Sequence, residues 1–461
     1  MGGRDERRAP GPDPGEEPRR LDERGLVEEG LLDPSILHGP ALPPHVLTIR
    51  PFLWIVVGWT VAHTAFWAYF GTLFADAAFG YDASAAQMAL LLGTFSLPFV
   101  VVTPLLGMLV DRWSPKWLLL IGFAVLAAAI PVAALATSLV WLGASIAVVG
   151  IAAAAIDPAR SSLTGLLVPK DQLVQANGMM SASTHSALLV GTIGSGLLLG
   201  ATGNADVVYT VAAIVAVAGL PFFLLIPDLR QSGERPAMSF RDLGQGVVTS
   251  WRHPELRLLL FLALLGYVIM NLLFSLEPIL IRDVIGGGQE GVQFLWAANG
   301  FGAMVGALLV SRIREGVGLE LLLIAGGFVL AGLGMMVYAG LAIYAVAVVA
   351  TMLIGAGFSL FFSAALALVQ RAAGEEEMGR VTAVLGVLSE GTGLLSSIVL
   401  AGVGTFVAVQ PVLVGSGIVL ALGGLGGLRR LRRLQAAGLA EPAPPGAPIA
   451  GIGAGRRRRE P

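Results

Sequence analysis

The stretch GMLVDRWSPK at positions 107–116 places Asp111, Arg112 and Lys116 between two long apolar runs, with Gly107 one helical turn before the aspartate. The flanking runs, 86–110 and 117–137, are each long enough to cross a hydrocarbon core of about 30 Å as a helix. A charged knot between two such runs is the connection between two membrane spans. The rest of the chain repeats the arrangement. It is 55% hydrophobic and 13% charged, about half the charge fraction of an ordinary soluble domain, and its mean hydropathy is +0.79. The runs are continuously apolar rather than alternating, which excludes a β-barrel.

Twelve apolar segments follow from this reading: 51–76, 86–110, 117–137, 139–164, 177–201, 205–227, 257–282, 291–311, 319–340, 342–370, 380–404 and 409–428. The 61 glycines suit close helix–helix approach in lipid. Residues 1–50 are rich in Pro, Gly, Arg and Glu and hold too little apolar surface for a core, so they read as a disordered tail. The stretch is too long and polar for a signal peptide.

Arginine and lysine set the expected orientation. With both termini in the cytoplasm, all but one of the 29 Lys and Arg lie on the cytoplasmic side; the exception is Arg282. The longest internal polar stretch, 228–256, divides the spans into two sets of six. Within it Phe240, Leu243, Val247 and Trp251 recur at helical spacing, as for a helix lying on the cytoplasmic surface. The expected domains are a tail at 1–50, six-helix bundles at 51–227 and 257–428, the central loop at 228–256, and a basic, Pro- and Gly-rich cytoplasmic tail at 429–461. A shift of 200 residues places Arg112 on Arg312 and Gly191-Thr192 on Gly391-Thr392, consistent with a parallel repeat.

Chemistry-bearing clusters are sparse. There is no cysteine, and the five histidines are scattered, so the sequence suggests neither a metal site nor an enzyme, and no cofactor. No GxxxxGK[ST] loop supports direct ATP drive. The basic runs at 429–433 and 456–459 suit anionic lipid; nucleic-acid binding is not expected, because no base-reading partners accompany them.

The knot itself resembles the loop signature of the major facilitator superfamily: a glycine, three residues, Asp-Arg, then a basic residue. Gly107, Asp111, Arg112 and Lys116 carry the resemblance; the second-half counterpart GALLVSRIREG keeps Arg312 but has Ser311 for the aspartate. The resemblance covers roughly residues 50–430. It implies an all-α membrane protein, two pseudo-symmetric six-helix bundles working by alternating access, and a functional monomer in a prokaryotic cytoplasmic membrane. A second stretch, DPARSSLTGLLVPKDQLVQANGMMSASTHSALLVGTIGSG at 157–196, resembles the proton-driven drug, macrolide and siderophore exporters and equally the lysophospholipid transporters. Residues 191–196 (GTIGSG) lack the proline that drug antiporters carry there. The implied activity is export of an amphipathic small molecule in exchange for protons, with lysophospholipid transport as the alternative. A non-transporting receptor or assembly factor on the same fold is a further alternative.

The implied latch comprises Gly107, Asp111, Arg112 and Lys116, extended by Asp157 and Arg160. Asp111 would face the positive N-terminal end of helix eleven near Gly379-Arg380. Glu390, about 10 residues into that helix, shares a face with Gly386, Gly393 and Ser397. A mid-membrane carboxylate costs at least ~2.5 kcal/mol and marks a proton or cation site by default. Glu277 is either a second such site or the ion-pair partner of Arg282. His185 and His63 can titrate near neutral pH. Trp59 and Phe66 flank His63 on an aromatic face, and Asn271 is a polar candidate on helix seven.

Overall fold

The structure, a computed structural model, describes residues 46–110, 114–169, 172–229, 254–311, 317–372, 375–403 and 408–436, and positions 244–245, 247–248 and 250–251. Twelve long helices run through these segments: α1 (Arg50–Phe79), α2 (Ala85–Val110), α3 (Pro115–Ala134), α4 (Leu139–Leu167), α5 (Leu173–Thr202), α6 (Ala205–Leu224), α7 (Pro254–Leu280), α8 (Gln289–Ser311), α9 (Val317–Leu341), α10 (Tyr344–Ala372), α11 (Glu375–Val403) and α12 (Val409–Ala436). No strand occurs among the described residues. This is an all-α membrane fold with the expected helix order.

Helix limits follow local chemistry. Pro51 and Pro115 stand in the first turns of α1 and α3, where their missing N–H groups cost nothing. Asn204 caps α6 by accepting the Asp206 backbone N–H at 2.8 Å. At its end α7 widens into a π-turn, Ile281–Ile285, which Gly286 closes at φ +80°.

Among the described residues, eleven of the helices are long and apolar enough to cross a membrane, and α11 contributes a shorter apolar stretch, 387–402, after first turns that carry Glu375, Glu376, Glu377 and Arg380. In the other direction, α12 passes the expected limit at 428 and continues to Ala436. Its last turns read LRRLRRLQA, all residues of good helix propensity. Positions 244–251 are helical wherever described, and Trp251 is exposed. The remainder of the central loop and the rest of both tails lie outside the described residues.

Within α1–α6, α1 packs on α5 and α6, and α3 on α4 and α6; within α7–α12, α9 packs on α10 and α12, and α8 on α10. The two sets meet chiefly where α2 packs on α11 and α5 on α8. Backbone approach is very close between α8 and α10, where Gly355 sits against the Asn299 carbonyl and leaves no room for a Cβ. Large apolar side chains such as Ile214, Leu197 and Phe261 are more than half exposed, as lipid-facing positions require.

Candidate functional site

Below, the end of the bundle carrying the α1–α2 and α7–α8 turns is called distal; the starts of α1 and α7 mark the proximal end. Between mid-bundle and the distal end the two helix sets are held together. Gln293 of α8 is fully buried and fills a notch left by Gly71 of α1, with Gly196 of α5 behind it; a Cβ at Gly71 would collide with its amide. Gly93 and Gly393 receive Ser397 and Ser96 across the α2–α11 seam. Trp296 of α8 packs on Phe70 and Phe74 of α1, with ring centroids 6.0 and 6.4 Å apart.

Arg282 fastens this end. Its guanidinium meets the Asp82 carboxylate of the α1–α2 connection at 2.7 Å and donates to the carbonyl of Ala78 in the last turn of α1. It also donates through Nε to Asp283 at 2.6 Å. Asp82 holds the left-handed backbone conformation at φ +50°, uncommon for a residue with a side chain. A cavity of about 460 Å³ opens beside the clasp, lined by Arg282, Asp283, Ser84 and Gln410 among others. In the same region the Tyr81 hydroxyl donates to the Ala136 carbonyl at 2.7 Å. Its pKa lies above the usual value, raised by desolvation and then by the charges of Asp76 and Asp206.

Of the two alternatives for Glu277, the ion pair with Arg282 is not formed. Glu277 is fully buried and accepts two hydrogen bonds instead: from Trp296 Nε1 at 3.0 Å and from the Tyr338 hydroxyl at 3.1 Å. One carboxylate thus joins α7, α8 and α9, and through Trp296 it touches the seam with α1.

On the proximal side α1 presents the aromatic face read from the sequence. His63 stacks on Trp59 with centroids 4.1 Å apart, and Phe66 follows at 5.4 Å from His63. Phe66 and Phe70 both reach Phe95 of α2, and Phe70 also meets Trp296 of α8, whereas Trp59 and His63 stand edge-on to Phe123 of α3. Trp59 Nε1 donates to Thr184 Oγ1 at 2.9 Å. His63 Nδ1 is buried and has no hydrogen-bond partner among the described residues. Arg160 of α4 lies over the Trp59 ring, 4.8 Å from its centroid, and its Nε stands 3.6 Å from Asp157.

The other candidates fall apart into separate places. Lys116 donates to the Leu224 carbonyl at 2.9 Å and lies over Trp117, so its contacts run to α6 rather than to Asp157 or Arg160. The His185 ring bonds the Ser181 carbonyl of its own helix at 2.8 Å. Asn271 donates to the Tyr267 carbonyl and to Thr392 Oγ1, joining α7 to α11. Gly107 is on α2 and Glu390 on α11; the Glu390 side chain, Asp111 and Arg112 lie outside the described residues. No group of three potential ligands for a metal ion occurs among the described residues.

Twelve helices in this order, a polar and aromatic seam between two sets of six, and two buried or seam-lying charge centres define an α-helical membrane transporter. The sequence profile of the Major Facilitator Superfamily matches residues 55–397. The chain belongs to that superfamily. It is 25% identical over 354 residues to an uncharacterized MFS-type transporter, YfiS, of Bacillus subtilis, covering 75% of this chain and 84% of that one. It is 30% identical over 167 residues to the lysophospholipid transporter LplT of Yersinia enterocolitica, covering 35% of this chain and 40% of that protein. Among solved structures, the nucleoside transporter NupG aligns with a TM-score of 0.64 at 14% identity, over 82% of this chain and 99% of that one. A POT family transporter in complex with a thioalcohol-conjugated peptide aligns with a TM-score of 0.66 at 12% identity, over 85% and 96%. At these identities the structures establish the shared fold alone.

Proposed function

We propose that the protein moves an amphipathic small molecule across the membrane by alternating access, as an exporter exchanging it for protons. The observation that supports this most is the aromatic face of α1. Trp59, His63 and Phe66 follow one another along one side of α1, Trp59 itself buried, with Arg160 against the Trp59 ring. Such a surface suits a molecule with a flat or apolar body and a charged end. The distribution of basic residues favours cytoplasmic termini, so the distal end would be the outer one and the present arrangement closed to the outside. The Asp111 latch would act at the opposite end. Lysophospholipid transport is the second reading, favoured by the 167-residue match to the Yersinia transporter.

Reconstitution in liposomes under an imposed pH gradient tests the reading, with a panel of cationic dyes, macrolides and lysolipids. Gradient-driven flux of a dye or macrolide is expected for the parent chain. Glu390→Gln is expected to lower it at least ~10-fold, the loss of one coupling carboxylate. Flux of lysolipid alone, independent of the gradient, would instead select the second reading. Equal gradient-driven flux in parent and variant would remove Glu390 as the carrier.

A further inference from the structure

Arg160 is provided with little that consumes its charge. It lies seven residues before the end of α4, about 10 Å into the bundle at 1.5 Å per residue. Among the described residues its buried Nε has no hydrogen-bond partner and its one anionic neighbour is Asp157, 3.6 Å away and beyond hydrogen-bonding distance, with a side chain 52% exposed. The guanidinium plane rests against Trp59, which orients its forked donors without using them. A partly buried arginine with one buried, unused donor is an incomplete site, since a charged donor away from water carries a penalty until it is paired.

The neighbours restrict what completes it. A bare anion approaching Arg160 would meet the Asp157 carboxylate as well, and like charges at that range repel. A ligand bearing both an anion and a cation satisfies both residues. Beyond the pair and the buried Trp59, His63 and Phe66 continue the aromatic run along α1 toward mid-bundle.

We propose that Arg160 and Asp157 form a headgroup subsite for a zwitterionic amphiphile, its anion on the Arg160 guanidinium, its ammonium on Asp157 and its apolar tail along His63 and Phe66. The inference rests on the amphipathic-substrate reading above and adds the class of headgroup. The anion can be a phosphate or a carboxylate; a guanidinium fork takes either.

Isothermal titration of the purified full chain with four oleoyl amphiphiles tests it: lysophosphatidylethanolamine, oleoylcarnitine, lysophosphatidic acid and monooleoylglycerol. At least one of the two zwitterions is expected to bind about ten- to a hundredfold tighter than the uncharged glyceride, the range for one or two charge-assisted hydrogen bonds. Preference for lysophosphatidylethanolamine identifies phosphate as the anion and preference for oleoylcarnitine identifies carboxylate; either supports the subsite. Arg160→Gln should bring the zwitterions to within about threefold of the glyceride, whose own affinity stays nearly constant. Arg160→Lys should keep part of the preference. Asp157→Asn should move the preference toward lysophosphatidic acid. Each variant is read as a ratio between ligands, so a partial loss of folded protein does not imitate the result. An unchanged zwitterion preference in Arg160→Gln overturns the subsite. Equal binding of all four amphiphiles by the parent also overturns it while leaving the amphipathic-substrate reading intact. Binding of none overturns both.

Discussion

Replacing Glu277 by leucine is expected to lower stability by about 2–6 kcal/mol, because two buried donors lose their acceptor at once and each orphan costs about 1–3 kcal/mol. The donors are Trp296 Nε1 and the Tyr338 hydroxyl, and among the described residues neither has a second acceptor. The disturbance reaches the seam, since Trp296 is also the residue that α8 packs on Phe70 and Phe74. Thermal unfolding in detergent measures the loss; a midpoint within a degree or two of the parent would show that the network carries no stability. Glu277→Gln separates structure from charge. The amide oxygen still accepts from Trp296, and its NH₂ can donate to a rotated Tyr338 hydroxyl, so a loss of no more than ~1 kcal/mol is expected. If Glu277 also carries protons, this variant loses gradient-driven flux while remaining folded. Retained flux would make Glu277 purely structural.

The second large effect is expected at the distal clasp. Arg282→Ala removes an ion pair to Asp82 in the α1–α2 connection and a charge-assisted bond to the Ala78 carbonyl in the last turn of α1, both running from the α7 end. Asp82 is 89% exposed, so solvent reduces that pair to at most about 1 kcal/mol. The carbonyl bond is partly buried and contributes about 1 kcal/mol more. A combined loss of 1–2 kcal/mol shifts an open–closed equilibrium about five- to thirtyfold toward the distally open form. The native chain contains no cysteine, so a pair introduced at Ala201 and Ala408 can be spin-labelled without further changes. Distances between the labels should gain a longer population in Arg282→Ala. An unchanged distribution would show that the glycine–Gln293 notch and the aromatic contacts hold this end closed without the clasp.

Much of the architecture was legible in the sequence, for a physical reason. A helix crossing lipid must satisfy its backbone internally and cover itself with apolar side chains, so each span declares itself locally. The expected segments and the observed helices differ by only a few residues at most limits. The differences come from chemistry that hydropathy does not weigh: the acidic first turns of α11, the π-turn after α7, and the Leu-Arg run that carries α12 to Ala436. The aromatic face of α1 was legible too, because Trp59, His63 and Phe66 sit at helical spacing within one element. The partners of isolated charges were not. Glu277 and Arg282 are one turn apart and of opposite sign, yet Glu277 turns to Trp296 and Tyr338 while Arg282 reaches back to Asp82. Gln293 carried no signal at all, since only the notch at Gly71 gives it meaning.

The division returns to GMLVDRWSPK. By itself the sequence determined that this stretch joins two membrane spans and that it carries the signature of a transporter superfamily, because both properties depend on residues close together in the chain. Only the tertiary structure decided where the nearby charges go. Lys116 bonds the end of α6, and Arg160 lies over Trp59 of α1. A charge in a low-dielectric bundle takes whichever partner the packing brings within about 4 Å, and packing is settled between helices that lie far apart in sequence.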